Sequence, residues 1–381
     1  MNIQEIEDRY LIPLYAKRDI ALVRGDGCFL FDENDKRYLD LTSNYGSSLL
    51  GYNNTNYNQA LKKQLDNIAN AHSSFYSDTR ASFLKKLHSI IPQEKSFLCS
   101  TGTESVEAGI KFARIATEKT GIISAKMGYH GRTMGALSAT AIPKYQKPFL
   151  PLVPEFKHVA FNNIQDLEEN LDENTAGVIL EPIQGENGVI IPDKDYLQKV
   201  KELCEKNNSL LIIDEVQTGF RTGNWLASDY FEVKADILCL SKGLGNGFPV
   251  AVTAVTKEVS DNIPKGTHST TFGANPLACC AGLVTLQEIE NKNLLNNSKE
   301  VGNFLLNELQ SLESPLIREV RGLGLMIAIE LKQRVTPYVR ELQEKGVLVM
   351  LNGNIMRILP PITISKQEAE MAIEKIKQVL C

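Results

Sequence analysis

Two short segments of this chain are apolar without interruption, VIL at 178–180 and LLII at 210–213. A strand with one solvated face alternates apolar and polar residues, whereas a strand covered on both faces is apolar throughout. Between the two segments, the stretch DYLQKVKELCEKNN places Leu197, Val200, Leu203 and Cys204 on one helical face. The sequence therefore predicts an α/β protein whose parallel sheet is covered by helices on both faces.

The character of the chain changes after about residue 275. Two long helix-like stretches are followed there by strand-like segments and by a terminal helix, which Ser365 and Glu368 begin as a capping box. We therefore expect three parts: an N-terminal segment at 1–45 that joins the small domain, a large domain at 46–262, and a small α+β domain at 263–381.

Composition excludes several classes of function. The 381 residues carry a net charge of -5 with both signs mixed, which argues against nucleic acid or an anionic membrane as the main partner. No window reaches the roughly 18 consecutive apolar residues of a spanning helix, and the polar, acidic start does not resemble a signal peptide. The seven cysteines form no C-x-x-C pair and the five histidines are scattered. We expect a cytoplasmic protein with reduced thiols and no metal site.

In open α/β sheets, ligands bind beyond the carboxyl ends of the strands. The first such position is STGTESVEAG, which lies between a predicted strand and a predicted helix. Gly102 lets the backbone approach an anion, Thr103 offers a hydroxyl, and a helix N-terminus supplies free amides. The alternative is an ordinary helix start with Thr101 or Thr103 as the N-cap.

Two further strands end in ionisable residues. Asp214 ends a strand that should be fully buried, where a carboxylate needs a cation or a donor. Lys242 follows another apolar strand and precedes its glycines, whereas the lysine of a phosphate P-loop follows them. A partly desolvated lysine at such a position can lose its proton and act as a nucleophile. The alternatives are a carboxylate that caps the next turn and a surface lysine.

The segment KMGYHGRTMGALSAT carries three more candidates. Tyr129 can lie flat on a planar ring, and Arg132 can hold a carboxylate through two parallel hydrogen bonds. His130 is more often a hydrogen-bonded structural histidine than a catalyst, and the whole segment could be a surface loop with a solvated arginine.

One ligand satisfies all of these positions, namely pyridoxal 5'-phosphate. It brings a phosphate for the Thr-Gly-Thr turn, a flat ring for Tyr129, a pyridine nitrogen for Asp214 and an aldehyde for Lys242. Lys242 would bind that aldehyde covalently, leave when the substrate amine replaces it, and then move a proton between carbons.

With these positions assigned, the chain resembles the class III (subgroup II) pyridoxal-phosphate aminotransferases of fold type I. The resemblance covers nearly the whole chain and is closest to the acetylornithine aminotransferase branch, including relatives that act on carrier-bound lysine or ornithine. It implies a large domain with a mainly parallel seven-stranded sheet and a smaller α+β domain. The motifs that carry the resemblance are STGTES, GYHGRT, LEPIQGENG, LIIDEVQTGFRTG, LSKGLGNGFP, THSTTFGANPLAC and MRILPP.

The resemblance also implies roles for individual residues. Lys242 and Asp214 would be catalytic, and Thr271 would reach the phosphate of the neighbouring subunit, so that a homodimer shares its active sites. Tyr129 replaces the phenylalanine common in this branch. The residues implied to bind the cofactor are Gly102, Thr103, Tyr129, Asp214, Gln217, Lys242 and Thr271.

The implied substrate contacts are Arg132, Glu186, Thr270 and Arg357. In the family, a glutamate pairs with the terminal arginine while the ω-amine donor is bound and swings away for the diacid. Glu186 and Arg357 match those two positions, although Glu186 could be a turn residue and Arg357 a charge at a sheet edge. The stretch DLTSNYGSSLLGYNN departs from the usual substrate-side N-x-L-G-H pattern.

The function implied is an ω-aminotransferase that moves the terminal amino group of N-acetylornithine, or of lysine or ornithine on an acidic carrier protein, to 2-oxoglutarate in arginine or lysine biosynthesis. The alternatives are a transaminase for ornithine, 4-aminobutyrate or a diamine, and an aminomutase of the glutamate-semialdehyde type. A non-catalytic phosphate-binding module is a remote alternative.

Overall fold

The computed structural model describes residues 2–381. Its strands, numbered along the chain, are β1 Leu22–Asp26, β2 Phe29–Asp32, β3 Arg37–Asp40, β4 Lys95–Cys99, β5 Gly121–Ala125, β6 Phe156–Val159, β7 Thr175–Leu180, β8 Leu210–Asp214, β9 Ile237–Leu240, β10 Ala251–Val255, β11 Ile317–Leu323, β12 Met326–Leu331, β13 Val347–Leu348, β14 Met350–Asn352 and β15 Ile355–Ile358.

The helices, also numbered along the chain, are α1 Ile3–Tyr10, α2 Ser43–Gly46, α3 Thr55–Asn67, α4 Asp78–Leu87, α5 Gly102–Thr117, α6 Met134–Ala139, α7 Pro143–Gln146, α8 Ile164–Asn170, α9 Tyr196–Lys206, α10 Ala227–Tyr230, α11 Lys257–Asp261, α12 Pro276–Asn291, α13 Leu294–Gln310, α14 Thr336–Glu344 and α15 Lys366–Leu380. Short 3₁₀ helices lie at Lys147–Phe149 and Lys242–Gly245.

A seven-stranded sheet forms the centre of the molecule, in the order β4-β10-β9-β8-β7-β5-β6. The pairs β9–β8, β8–β7, β7–β5 and β5–β6 are parallel, whereas β10 runs antiparallel to both β4 and β9. Because β10 reverses between them, β4 points the same way as the other strands. The carboxyl ends of β4, β5, β7, β8 and β9 therefore meet at one edge of the sheet.

Both faces of this sheet are covered, as the uninterrupted apolar strands predict. On one face Ile212 of β8 packs in a cluster with Val106 and Ile110 of α5. On the other face Leu211 and Ile213 of the same strand belong to a cluster that contains the apolar side of α9. Alternate residues of one strand thus reach two separate layers, so no position on the strand is left for a solvated side chain.

Two smaller sheets flank the central one. Strands β2 and β3 form an antiparallel pair, and β13 from the C-terminal part pairs in parallel with β3, which ties the two ends of the chain together. The other small sheet has the order β11-β12-β15-β14. Ser365 caps α15, with Glu368 completing the capping box. The domain boundaries at residues 45 and 262 stay predictions.

Within residues 2–381, no helix combines the length and the apolar character needed to cross a membrane. The same part of the chain holds no group of three or more histidine, cysteine, aspartate or glutamate side chains arranged to bind a metal. All seven cysteines are free, and only Cys381 is exposed. The cytoplasmic location stays a prediction.

Candidate active site

A cavity of about 250 Å³ opens where the carboxyl ends of the central strands meet. Most of the predicted site residues lie in its wall, although they are far apart in the sequence. The residues that line the cavity are Gly102, Thr103, Tyr129, His130, Gly131, Arg132, Glu181, Glu186, Asp214, Val216, Gln217 and Lys242.

Lys242 stands at the end of β9, where the chain turns into a 3₁₀ helix. Its backbone φ of 41° lies in the left-handed region, which is strained for a residue with a side chain. Desolvation lowers the pKa of Lys242 to about 8, against the opposing effect of Asp214, Glu181 and Glu186. No hydrogen bond or ion pair within residues 2–381 involves its amine. Because the pKa is about 8, a large share of the Lys242 side chains is neutral near pH 8.

Asp214 is the buried last residue of β8, and both of its carboxylate oxygens accept a hydrogen bond. Oδ2 lies 2.8 Å from Nδ1 of His130, and Oδ1 accepts from the amide of Val216 at 3.0 Å. His130 is also buried, and its Nε2 has no partner within residues 2–381. Glu215 turns away from the cavity and accepts from the amides of Ala227 and Ser228, as its opposite direction on the strand requires.

The N-terminus of α5 lies at the cavity and carries the predicted anion site. Thr101 is the N-cap and forms a capping box with Glu104, so Gly102 and Thr103 occupy the first turn, where free amides point outward. A Cβ at Gly102 would lie 2.6 Å from Cγ1 of Val216, so only glycine fits there without displacing Val216. The N-cap at Thr101 is therefore observed, and anion binding at Gly102 and Thr103 in the same turn stays a prediction.

Tyr129 and Arg132 sit on the loop after β5 and contact each other. Nε of Arg132 donates to the hydroxyl of Tyr129 at 3.2 Å. The guanidinium carbon also lies 3.5 Å from the ring centroid of Tyr145, which is on α7. Arg132 is exposed at the rim of the cavity, so it can meet a ligand there.

Glu181 directly follows β7 and was not singled out by the sequence interpretation. Its carboxylate is buried and accepts from the amide of Tyr129 at 2.9 Å and from that of Gly185 at 3.1 Å. Burial raises the pKa of Glu181 to about 7, which the neighbouring His130 opposes. The signal was present in the sequence, because an acid at the end of an uninterrupted apolar strand is the same pattern that identified Asp214.

Arg357 lies on β15 and is almost wholly buried behind the cavity. Its Nη2 donates to Oε2 of Glu186 at 2.7 Å, and its Nη1 donates to the backbone oxygen of Gly185 at 3.0 Å and, at 3.5 Å, to Gln217. The predicted pairing of Glu186 with Arg357 is therefore present. Nε of Arg357 has no partner within residues 2–381.

Three predicted site residues are not part of the cavity wall, namely Arg357, which lies behind it, and Thr270 and Thr271. Thr271 is exposed, and Thr270 is half-buried. Neither lines the cavity of its own chain. Their position leaves the predicted contact of Thr271 with a neighbouring subunit as a prediction.

With this geometry described, comparison with known proteins becomes informative. Residues 14–380 match the family described as aminotransferase class-III. The chain belongs to the class-III aminotransferases. The predicted family is thereby confirmed, as are the transaminase activity and the dependence on pyridoxal 5'-phosphate.

Relatives of this class-III aminotransferase match over nearly their whole length. The chain is 37% identical to an acetylornithine aminotransferase of Methanosarcina acetivorans, covering 99% of this chain and 96% of that protein. It is 40% identical to a putative [LysW]-aminoadipate semialdehyde/glutamate semialdehyde transaminase of Pyrococcus horikoshii, covering 96% and 98%.

Solved structures agree with the predicted fold. The ornithine aminotransferase of Toxoplasma gondii superposes with a TM-score of 0.95 at 31% identity, covering 99% of this chain and 93% of that one. The predicted α/β fold of a pyridoxal-phosphate-dependent transferase is confirmed.

The cavity of this class-III aminotransferase fits the cofactor on three observations of its own. The amine of Lys242 is unpaired and poorly solvated, which suits reaction with an aldehyde. The cradle at Gly102 would be filled by any side chain. Asp214 lies in the cavity wall as an acceptor that can face a protonated ring nitrogen.

Proposed function

We propose that the protein is an ω-aminotransferase that moves the terminal amino group of N-acetylornithine, or of lysine or ornithine held by an acidic carrier protein, to 2-oxoglutarate. The observation that carries this proposal is the ion pair of 2.7 Å between Glu186 and the almost wholly buried Arg357. The same cavity must bind two different ligands in turn. The ω-amine donor has no carboxylate on the carbon that carries the reacting amino group, whereas 2-oxoglutarate has a carboxylate next to its reacting carbon. A buried arginine with an exchangeable carboxylate partner fits both ligands.

The cofactor would be held by residues from several strand ends. Gly102 and Thr103 would bind the phosphate at the start of α5, Tyr129 would cover one face of the ring, and Asp214 would accept from the ring nitrogen. Gln217, which lines the same cavity, would hold the ring hydroxyl. His130 donates to Asp214 and so keeps that carboxylate in place.

Bound pyridoxal phosphate supplies an electron-withdrawing ring, which makes the carbon that carries the amino group acidic. Lys242 Nζ would serve as the base that takes the proton from that carbon and as the acid that returns it to the neighbouring position. Its pKa near 8 suits both steps, because an amine that titrates close to the working pH can accept and release a proton. Burial of Asp214 strengthens its attraction for a positive ring nitrogen.

Two arginines would recognise carboxylates at separate places. Arg132 at the rim would hold the carboxylate remote from the reacting carbon, with Thr270 of the partner subunit as a further substrate contact. Arg357 would hold the carboxylate next to the reacting carbon of 2-oxoglutarate after Glu186 has moved away. While Glu186 stays in place, the charge of Arg357 is balanced and an ω-amine donor meets no free guanidinium.

The names of the relatives support the donor class. The Methanosarcina protein is named for acetylornithine, and the Pyrococcus protein is named for semialdehydes linked to LysW. Both names describe transfer at a terminal amino group whose neighbouring carbon bears no carboxylate. The carrier-bound form would add a protein partner to a small-molecule reaction.

A panel of single half-reactions tests the proposal. The loaded enzyme is mixed with N-acetylornithine, ornithine, 4-aminobutyrate, a diamine or carrier-linked lysine, and the cofactor absorbance is followed. We expect the cofactor absorbance to change fastest with N-acetylornithine or the carrier-linked amine. Of the oxo acids added afterwards, 2-oxoglutarate should restore the original absorbance fastest. Strong conversion by 4-aminobutyrate with none by N-acetylornithine or the carrier-linked amine would refute the proposed donor.

A further inference from the structure

Arg132 is an exposed guanidinium without an acidic partner. Within residues 2–381 it forms no ion pair with any carboxylate, although it lies in the wall of the cavity. An arginine in this situation normally samples many rotamers, and a ligand that captures it must order the side chain. Whether Arg132 is already ordered therefore decides how well it discriminates between ligands.

Two tyrosines fix Arg132 from different directions. The ring of Tyr145 supports the guanidinium face, with the carbon Cζ 3.5 Å from the ring centroid. The hydroxyl of Tyr129 accepts from Nε at 3.2 Å. The two rings meet edge to face at 6.1 Å between centroids and 85° between planes, so each also restricts the other.

These contacts leave one edge of Arg132 for a ligand. With Nε occupied by Tyr129, a carboxylate can form paired hydrogen bonds only through Nη1 and Nη2. The contact with Tyr145 also restricts the guanidinium, because cation–π attraction holds the cation against the face of the ring. The ammonium of Lys144 lies 4.8 Å from the same ring centroid and adds positive charge beside the site.

We propose that Tyr145 and the hydroxyl of Tyr129 are positioning residues that hold Arg132 in one orientation, and that they make the enzyme selective for amino donors with a carboxylate remote from the transferred amino group. The inference rests on the proposed role of Arg132 as a carboxylate-binding residue. Holding the side chain in advance saves the ordering of one flexible group, which corresponds to about threefold to tenfold in affinity.

The test compares a donor that carries the remote carboxylate with one that lacks it. In Tyr145→Leu and in Tyr129→Phe, we expect the ratio of kcat/KM for N-acetylornithine to that for pentylamine to fall by about threefold to tenfold. Because the ratio is taken within one variant, general damage to the cofactor site cancels. Tyr145→Phe keeps the aromatic face and is the matched control, in which the ratio should stay as in the wild type.

A second measurement needs no turnover. Binding of 2-acetamidopentanoate, which has the carboxylate but no terminal amine, is measured by calorimetry on the loaded enzyme. We expect Tyr145→Leu to weaken this binding by the same factor and Tyr145→Phe to leave it unchanged. Unchanged binding in both Tyr145→Leu and Tyr129→Phe would overturn the inference, as would a ratio of kcat/KM that does not move.

Arg132→Gln separates this inference from the function on which it depends. If Arg132→Gln strongly weakens the binding of 2-acetamidopentanoate while the tyrosine variants do not, then Arg132 binds the carboxylate. In that case only the proposed positioning role of the tyrosines is wrong. If Arg132→Gln has no effect on that binding, then the proposed role of Arg132 itself is wrong. Weaker binding of 2-acetamidopentanoate in both Arg132→Gln and Tyr145→Leu, with unchanged binding in Tyr145→Phe, would support the role of Arg132 and the positioning role of Tyr145.

Discussion

Lys242 illustrates how a single residue acquires reactivity from its surroundings. Its amine has no hydrogen-bond partner within residues 2–381, and desolvation lowers its pKa to about 8. The neutral amine is the form that attacks an aldehyde. At this scale, desolvation is the main reason that the pKa of Lys242 lies near physiological pH, and the charge of Arg357 acts in the same direction.

The first prediction concerns capture of the cofactor. The rate at which the apoenzyme binds pyridoxal phosphate covalently should rise with pH and level off above a midpoint near pH 8, because the neutral fraction of Lys242 rises there. Stopped-flow absorbance across the pH range measures it. Lys242→Ala should show no covalent capture and no turnover, while its far-UV circular dichroism remains that of the wild type. A midpoint near the ordinary lysine value would contradict the desolvation argument.

The second prediction concerns Glu181 and the stability of the apoenzyme. Burial raises its pKa from 4.5 to about 7, so its stabilising contribution is complete below the unfolded pKa and is lost as the pH rises through 7. Between these values the free energy of unfolding should fall by up to about 1.4 kcal/mol per pH unit from this group. Urea unfolding of wild type and Glu181→Gln at several pH values isolates the slope; identical slopes would show that Glu181 does not titrate there.

Individual residues of the site differed in how visible they were in the sequence. Asp214 and Lys242 were predictable because an ionisable residue after a buried strand is costly and needs a reason. The contact of Tyr145 with Arg132 was not, because it depends on how α7 folds back toward the loop after β5, and no periodicity encodes that approach. Thr271 could be named only through family resemblance.

At the scale of elements, the central sheet was predicted from apolar runs, but not the direction of each strand. The segment AVTAV of β10 is buried throughout and looks like its neighbours, yet it is antiparallel to both. Strand direction follows from connection lengths and packing, which the composition of a strand does not contain. Helix α3 begins at Thr55, because the Asn54 side chain caps it by accepting from the amide of Tyr57.

The third prediction concerns two elements joined by an ion pair, strand β15 with Arg357 and the turn with Glu186. Arg357→Ala should weaken the binding of 2-oxoglutarate by about thirtyfold, since a charged hydrogen-bonded contact contributes about 2 kcal/mol. The amine half-reaction should change less. Glu186→Gln should slow the amine half-reaction more than the 2-oxoglutarate half-reaction. The reason is that the charge of Arg357 then has no carboxylate partner while an ω-amine donor is bound.

Stopped-flow measurement of both half-reactions in both variants checks this prediction. Each variant serves as the control for the other, because both remove one partner of the ion pair of 2.7 Å. Equal losses in the two half-reactions, in either variant, would argue that Glu186 and Arg357 only stabilise the fold.

At the scale of the whole molecule, buried polar contacts join distant parts of the chain around the site. Arg221 is fully buried, and its Nη2 donates to the backbone oxygen of Gly46 while its Nη1 reaches that of Pro360. The backbone oxygen of Arg221 accepts from the amide of Leu325 at 2.9 Å and from the hydroxyl of Ser298. Segments near both ends are thus anchored by one residue to the loop that follows β8.

The fourth prediction tests that anchor. Arg221→Met keeps the length of the side chain but removes its donors, which leaves the carbonyl groups of Gly46 and Pro360 without that partner. We expect a loss of about 1–3 kcal/mol in the free energy of unfolding. Chemical unfolding of the apoenzyme measures it, with the exposed Arg340→Met as the control, and equal stability of the two variants would contradict the role of Arg221.

The final prediction asks whether Thr271 serves the site of its own chain or that of a partner. Thr271 is exposed and outside the cavity of its own chain, which suits a contact made across a homodimer. Lys242→Ala should be inactive, and Thr271→Ala should need a higher cofactor concentration because a phosphate contact is missing. In a mixed dimer, one of the two sites then combines an intact Lys242 with an intact Thr271 from the other chain.

The two variants, carrying different affinity tags, are therefore dissociated, mixed and reassembled, and the doubly tagged dimer is purified. At a low cofactor concentration it should show about half the activity of a wild-type dimer, because one site of two is complete. If Thr271 acted within its own chain, neither site of the mixed dimer would be complete, and its activity would not exceed half that of the Thr271→Ala dimer. The same assay on the wild-type dimer and on the Thr271→Ala dimer sets both reference values, so a result at the lower one would reject the shared site.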